Sequence, residues 1–211
     1  MKRTNTRQRI LSEALRLFAA GGFDAVRVQQ IADAVGIRAP SLYKHFKSKQ
    51  DIFDTILEEM EKRYQKQMGS LQMNGAEPGK DASLFTSMSE EQLVQTGKIL
   101  FGYFLHDEYA ANFRRALSME QYRSPKLPAL YAKQYIDDPL SFQGALFGML
   151  IQTGNLLPED PGVMALQFYS PVFLLLTLCD CRPEREPEAT SLLEKHIRQF
   201  YRLYGNKEKK V

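Results

Sequence analysis

The stretch GIRAPSLYKHFKSKQDIF, Gly36–Phe53, gathers Arg38, Lys44, Lys47 and Lys49 with the hydroxyls of Ser41, Tyr43 and Ser48 and the imidazole of His45. Guanidinium and ammonium groups pair with phosphate oxygens or guanine edges, and serine and tyrosine hydroxyls bond phosphate. Ala39 and Pro40 offer apolar contact of the kind a thymine methyl accepts. Leu42 and Phe46, four residues apart, supply an inward face, which turns Arg38, Ala39, Ser41, Tyr43, Lys44 and His45 outward or sideways. The chemistry on offer is recognition of a polyanion, double-stranded DNA above all.

Charge distribution points the same way. Residues 1–50 hold ten Lys or Arg against Glu13, Asp24 and Asp33, a local charge of +7, while the rest of the 211-residue chain carries −4. An anionic membrane is the competing partner. The uncharged runs Pro139–Pro158 and Pro161–Cys179 approach the length of a membrane span, yet polar residues and Pro171 interrupt them and acidic pairs flank them. Buried helices of a soluble bundle account for them, so no membrane partner is expected. The N-terminus lacks the apolar core of a secretory signal, and Cys179 and Cys181 stand too close together to staple a fold. Both features fit a reducing, cytoplasmic setting. No catalytic constellation, metal-ligand spacing or cofactor motif emerges, and Cys179-Asp180-Cys181 reads as a core residue followed by a helix end.

The elements that must position these side chains are helices throughout; no segment alternates with period two. A first helix spans about Thr6–Ala20, with Ile10, Leu11, Ala14, Leu17 and Phe18 on one side, and Gly21–Gly22 ends it. Val28, Ile31, Ala32 and Val35 give a short second helix at i, i+3, i+4 and i+7 spacing, stopped by Gly36. A third runs from about Ala39 to Phe46, Pro40 being tolerated in a first helical turn. One long and two short helices around a tight turn make a helix-turn-helix unit. Ser48 opens a long fourth helix, with Asp51 in capping-box position. Its N-terminus, with the Ser48 hydroxyl and Lys49 ammonium, favours an anion such as phosphate. Residues 69–88 read as a loop with room for one helical turn. Further helices are expected near Ser89–His106, Tyr109–Tyr122, Lys126–Ile136, Pro139–Asn155, Val163–Cys179 and Pro187–Tyr204.

The run from Gly22 to Phe53 resembles the N-terminal domain of the tetracycline-repressor (TetR) family of bacterial transcriptional regulators. The residues that carry the likeness are Gly22–Phe23, Ile31–Ala32, Val35–Gly36, Leu42–Tyr43, His45–Phe46 and Lys49. It is specific over about residues 6–58 and architectural beyond. The resemblance implies a homodimer that sets two third helices into successive major grooves of an operator, without enzymatic activity. By position, Tyr43 and Lys49 would bind phosphate, and Arg38, Ser41, Lys44 and His45 would lie at the groove. Arg27 stands where many members have a capping Thr, and Arg38 where many have Ser or Thr. An arginine cannot accept the cap bond, so a phosphate role for Arg27 and a loosely started second helix are expected.

The expected division is a DNA-binding domain over residues 1–48 and an all-α ligand-binding and dimerisation domain over 49–211. In that body, Gly97, Gly102, Gly144, Gly148 and Gly154 interrupt helices; they either let two helices approach closely or leave room for a ligand. The resemblance implies a small apolar or aromatic effector, with Phe101, Phe104, Phe113, Met119, Tyr122 and Phe147 as its neighbourhood. The apolar circumference of Val172, Phe173, Leu175, Leu176 and Leu178, followed by the stripe Leu192, Leu193, His196, Ile197, Phe200 and Leu203, points to a four-helix dimer interface. The readings left standing are a ligand-released repressor, a ligand-independent DNA-binding dimer, and an interaction protein whose basic face docks an anionic partner or membrane surface.

Overall fold

The computed structural model describes residues 6–122 and 127–206. Among these there are eleven α-helices and no strand: α1 Thr6–Gly21, α2 Val28–Val35, α3 Ala39–Leu42, α4 Lys49–Ser70, α5 Pro78–Ser87, α6 Glu90–His106, α7 Glu108–Glu120, α8 Leu127–Ala132, α9 Asp138–Gln152, α10 Pro161–Cys181 and α11 Glu186–Tyr204.

They sort into two compact units. The first runs to Tyr64 and adds Asp107–Ala132; the second holds Gln65–His106 and the chain from Lys133 onward. The division thus differs from a break after residue 48, because α7 packs along α1 and joins the N-terminal helices.

In the first unit, α1 buries Ile10, Leu11, Ala14, Leu15 and Phe18. Leu15 takes the place expected of Leu17, since its row continues Leu11 by one turn. α2 contributes Ile31, Ala32 and Val35, α4 contributes Ile52, Phe53 and Ile56, and α7 closes the core with Tyr109, Phe113 and Leu117. Tyr109 also donates to the Ile56 carbonyl at 3.3 Å, and the Arg63 guanidinium lies 4.4 Å from its ring centre.

The second unit has two apolar clusters. Val94 and Phe101 of α6 meet Leu175, Leu176 and Cys179 of α10 and Leu193 and Ile197 of α11. Leu146, Phe147 and Leu150 of α9 meet Met164 and Ala165 of α10 and Phe200 of α11. Both glycine contacts that matter here are close helix approaches. A Cβ on Gly97 would stand 2.4 Å from Ile197 Cδ1, and one on Gly144 would touch the Ala165 methyl and the α10 backbone at Gly162. At these two positions the missing side chains serve packing rather than a cavity.

Two boundaries depart from expectation. Residues 78–87, read as loop, form α5: Pro78 sits in its first turn, and Asn74 Oδ1 accepts from the backbone N–H of Ala76 and Glu77. The buried carboxylate of Asp81 receives the N–H groups of Asn74 and Gly75 at 2.6 and 2.8 Å, which folds the approach to the helix back onto it. The break expected before Pro139 is instead a π-helical turn, Lys133–Asp137, that runs into α9. Pro139 has no N–H for the Tyr135 carbonyl four residues earlier, and the Tyr169 hydroxyl donates to that oxygen at 2.9 Å. α10 is long and apolar enough to cross a membrane by length and composition, and it packs against α6, α9 and α11.

Candidate nucleic-acid interface

The first unit builds its outward face from the inside. α1 ends where Gly22 takes φ 89° and its N–H bonds the Phe18 carbonyl at 2.8 Å. Five residues later α2 begins with Arg27 in the cap position. Its side chain makes no cap bond, but Gln30 Oε1 accepts the Arg27 N–H at 2.7 Å, so α2 starts more firmly than an arginine cap alone implies. α2 ends at Gly36, φ 75°, with Ile37 N–H bonded to the Ala32 carbonyl at 3.0 Å, a Schellman closure. The turn is fixed from outside as well: Arg9 Nη2 donates to the Val35 carbonyl at 2.5 Å.

α3 follows at once. Arg38 is its extended cap residue, and Pro40 lies in its first turn. The helix is shorter than expected. After Leu42 the backbone tightens, with Lys44 N–H bonding the Ser41 carbonyl and His45 N–H the Leu42 carbonyl, three residues back in each case. The cause is the pair of anchors: Leu42 is fully buried and Phe46 is 2% exposed, with the Arg7 guanidinium 4.9 Å from the Phe46 ring centre.

With those anchors inward, Arg38, Pro40, Tyr43, Lys44 and His45 face solvent, as does Arg27 on α2, while Ala39 and Ser41 are half-buried. Tyr43 is 53% exposed, more than a ring kept for packing would be. No carboxylate occurs in sequence between Asp33 and Asp51, so nothing on α3 itself neutralises this face.

The start of α4 corrects the expectation of an anion site there. Ser48 Oγ accepts the Asp51 N–H at 3.0 Å, and the Asp51 carboxylate accepts the Lys47 N–H at 2.7 Å. Lys49 points inward. Its ammonium donates to the carbonyls of Phe23 at 2.7 Å, Val26 at 3.0 Å and Asp24 at 3.2 Å, and lies 4.4 Å from the Phe23 ring centre. An ammonium has three hydrogens, and all three are given. In this arrangement Lys49 fixes the α1–α2 turn rather than meeting a phosphate.

The side chains expected around an effector are divided between the two units. Phe101 and Phe147 fill the two separate clusters of the second unit, and Phe104 packs at the edge of the first cluster. Phe113 is core of the first unit, Met119 is half-buried there, and Tyr122 is 89% exposed. Aromatics that pack against one another have already satisfied the surface a ligand would need. The second unit does carry an open recess of about 320 Å³ between the end of α4, α5 and α6, with Leu71, Leu84, Met88 and Ile99 among its lining. Sequence reasoning missed it because it depends on α5.

Two anchored short helices joined at a left-handed glycine, with a basic outward face, define a helix-turn-helix protein. Residues 10–56 match the family model described as bacterial regulatory proteins, tetR family. The regulator AcrR of Shigella flexneri is 45% identical over 53 residues, 25% of each chain. The chain spans less than two thirds of the length of the first curated relatives it matches. Among solved structures, a TetR-family regulator from Mesorhizobium loti superposes with TM-score 0.66 at 18% identity, covering 97% of this chain and 99% of the other. SmeT, repressor of the multidrug efflux pump SmeDEF in Stenotrophomonas maltophilia, superposes with TM-score 0.62 at 17% identity, covering 97% and 92%. At such identities the likeness is one of fold. Residues 10–56 are thus a DNA-binding domain of the kind found in the tetR family of bacterial regulatory proteins, and the fold of the whole chain is like that of regulators of that family.

Proposed function

We propose that this protein is a cytoplasmic, homodimeric transcriptional repressor that leaves its operator when a small apolar or aromatic molecule binds its second unit. The observation that carries the DNA reading is the exposed set Arg38, Tyr43, Lys44 and His45 at the two ends of α3, in a segment held by buried Leu42 and Phe46. Arg38, Ser41, Lys44 and His45 meet base edges in the major groove, Ala39 and Pro40 lend apolar contact, and Tyr43 and Arg27 meet phosphates.

Dimerisation is supported by exposed apolar side chains on the last two helices. Val163, Leu166 and Leu174 share one face of α10, and Leu192 and Leu203, eleven residues apart, share one face of α11. Such a patch on a soluble protein marks an interface, and a twofold pairing of α10 and α11 covers it. Two reading helices then address major grooves about 34–36 Å apart. An effector acts through its different affinity for two dimer geometries, only one of which keeps that spacing. The effector reading is supported by neighbours in fold: SmeT has been solved with triclosan, and another regulator, FrrA, is described as flavonoid-responsive.

Selection of preferred sequences from a random duplex pool tests the core of this reading. A palindromic preference is expected, and Lys44→Ala should change the ranking among operator variants rather than weaken all equally, each lost base contact costing about 1–3 kcal/mol. Salt-sensitive binding without sequence preference would overturn the operator reading and leave an anionic-surface binder.

A further inference from the structure

Glu120, the last residue of α7, is 1% exposed, and nothing in the DNA-facing chemistry uses it. Its Oε1 accepts the backbone N–H of Phe23 at 2.8 Å, whereas Oε2 is buried without a hydrogen-bond partner. A carboxylate in such surroundings is expensive to bury unless its lone pairs are met, and here those of Oε2 are not. An apolar side chain would avoid that cost but leave the Phe23 N–H without its acceptor, so the carboxylate is there for that bond.

What the bond holds is more telling. Phe23 directly follows the left-handed Gly22 that ends α1, so its N–H is the first backbone donor of the α1–α2 turn. Its carbonyl takes the Lys49 ammonium, and its ring packs 5.1 Å from that of Phe18 and 5.0 Å from that of Phe53. Helices α1, α4 and α7 therefore grip the turn through one residue. Four residues further on stands Arg27, where α2 begins, and α2 is the platform for α3.

We infer that Glu120 is a positioning residue through which α7 sets the α1–α2 turn, and with it the placement of α2 and the reading helix. This inference rests on the DNA reading proposed above only for its consequence, not for the contact itself.

Backbone hydrogen exchange of the full-length protein without DNA, followed by binding to the selected operator, tests it. Glu120→Ala should speed exchange at Phe23–Val28 by about tenfold or more while Ile10–Phe18 stay protected. Glu120→Gln, which keeps an acceptor oxygen, should restore protection. Glu120→Asp, which withdraws the carboxylate by one methylene, should show the local effect if the alanine variant does not fold. On DNA, Glu120→Ala should lower affinity for the preferred sequence by about tenfold and leave binding to scrambled duplex unchanged. Exchange that rises evenly across the first unit would reduce Glu120 to general stability and overturn the inference. So would a loosened turn with unaltered operator affinity. A wild-type chain that prefers no sequence would sink the operator reading instead, while the exchange data would still decide whether α7 governs the turn.

Discussion

Replacing Lys49 by methionine separates two roles that its charge alone leaves indistinguishable. Methionine keeps an unbranched stem of similar length and removes the ammonium. In the structure that deletion orphans the part-buried carbonyls of Phe23 and Val26, the exposed Asp24 carbonyl being free to turn to water. Two bonds to a charged donor, discounted for their partial exposure, contribute about 1–1.5 kcal/mol each. The cation over the Phe23 ring adds about 0.5–1 kcal/mol. The total, about 2.5–4 kcal/mol, should lower the melting temperature by roughly 5–15 °C for a chain of this size. Thermal unfolding followed by circular dichroism measures it directly. Operator affinity measured across a salt series gives the second half of the test. A lysine that holds the turn leaves the slope of log K against log salt unchanged on mutation, even where affinity falls. A lysine that neutralises a phosphate takes about 0.9 from that slope per contact. An unaltered melting temperature with a flattened slope would refute the positioning role and return Lys49 to the DNA backbone.

The second unit supports two further expectations. Gly97→Ala should gain about 1 kcal/mol of helix propensity and lose about 1–3 kcal/mol to the clash with Ile197 Cδ1, for a net loss in denaturant unfolding. Adding Ile197→Val removes the clashing methyl, so the double variant should unfold at higher denaturant than Gly97→Ala; additive losses would show that the approach of α6 to α11 is not what the glycine protects. Arg198 pairs with Glu90, Glu91 and Glu194, and Lys98 with Glu194. The Glu194 carboxyl is held below the usual carboxylate range by its bond from Lys98 and then that from Arg198, and Glu91 likewise by Gln95 and then Arg198. A depressed carboxylate stabilises above its unfolded pKa and stops doing so as pH falls through the folded value. The melting temperatures of wild type and Arg198→Met should therefore differ near pH 7 and converge below about pH 4, and a difference that persists at low pH would discount the pairing.

The helix-turn-helix was legible because its determinants are local. Val28, Ile31, Ala32 and Val35 announce their face by spacing, Gly36 announces the turn by its residue type, and Leu42 with Phe46 fix which way α3 looks. Where reading failed, the deciding partner was distant in sequence. Pro139 looked like a helix break because the hydroxyl that satisfies the Tyr135 carbonyl belongs to Tyr169. Gly97 left packing and cavity open because the side chain it makes room for is Ile197. Residues 69–88 read as loop because glycine and polar content masked α5, whose approach is organised by a carboxylate, Asp81, that composition counts as surface. Residue type likewise marks aromatics as apolar, while only the fold tells which already have partners within their own unit.

The basic residues of the N-terminal quarter show what that distinction means for function. Ten positive side chains invite the view of one uniform DNA-binding surface, but several of the described ones are engaged within the first unit. Arg7 lies over Phe46, Arg9 bonds the end of α2, and Lys49 bonds the start of the turn before it. These three pin the ends of the elements that carry the reading helix, and Arg16 pairs with Glu13 on α1. Arg27, Arg38, Lys44 and Lys47 stand exposed along the helix-turn-helix itself, while Arg7, Arg9 and Arg16 stand exposed on α1. A charge spent on a carbonyl inside the fold is withdrawn from a phosphate outside it. The cations bonded within the fold fix where the others stand, and fixed placement is what a side chain such as Lys44 would need to discriminate bases rather than only attract the backbone.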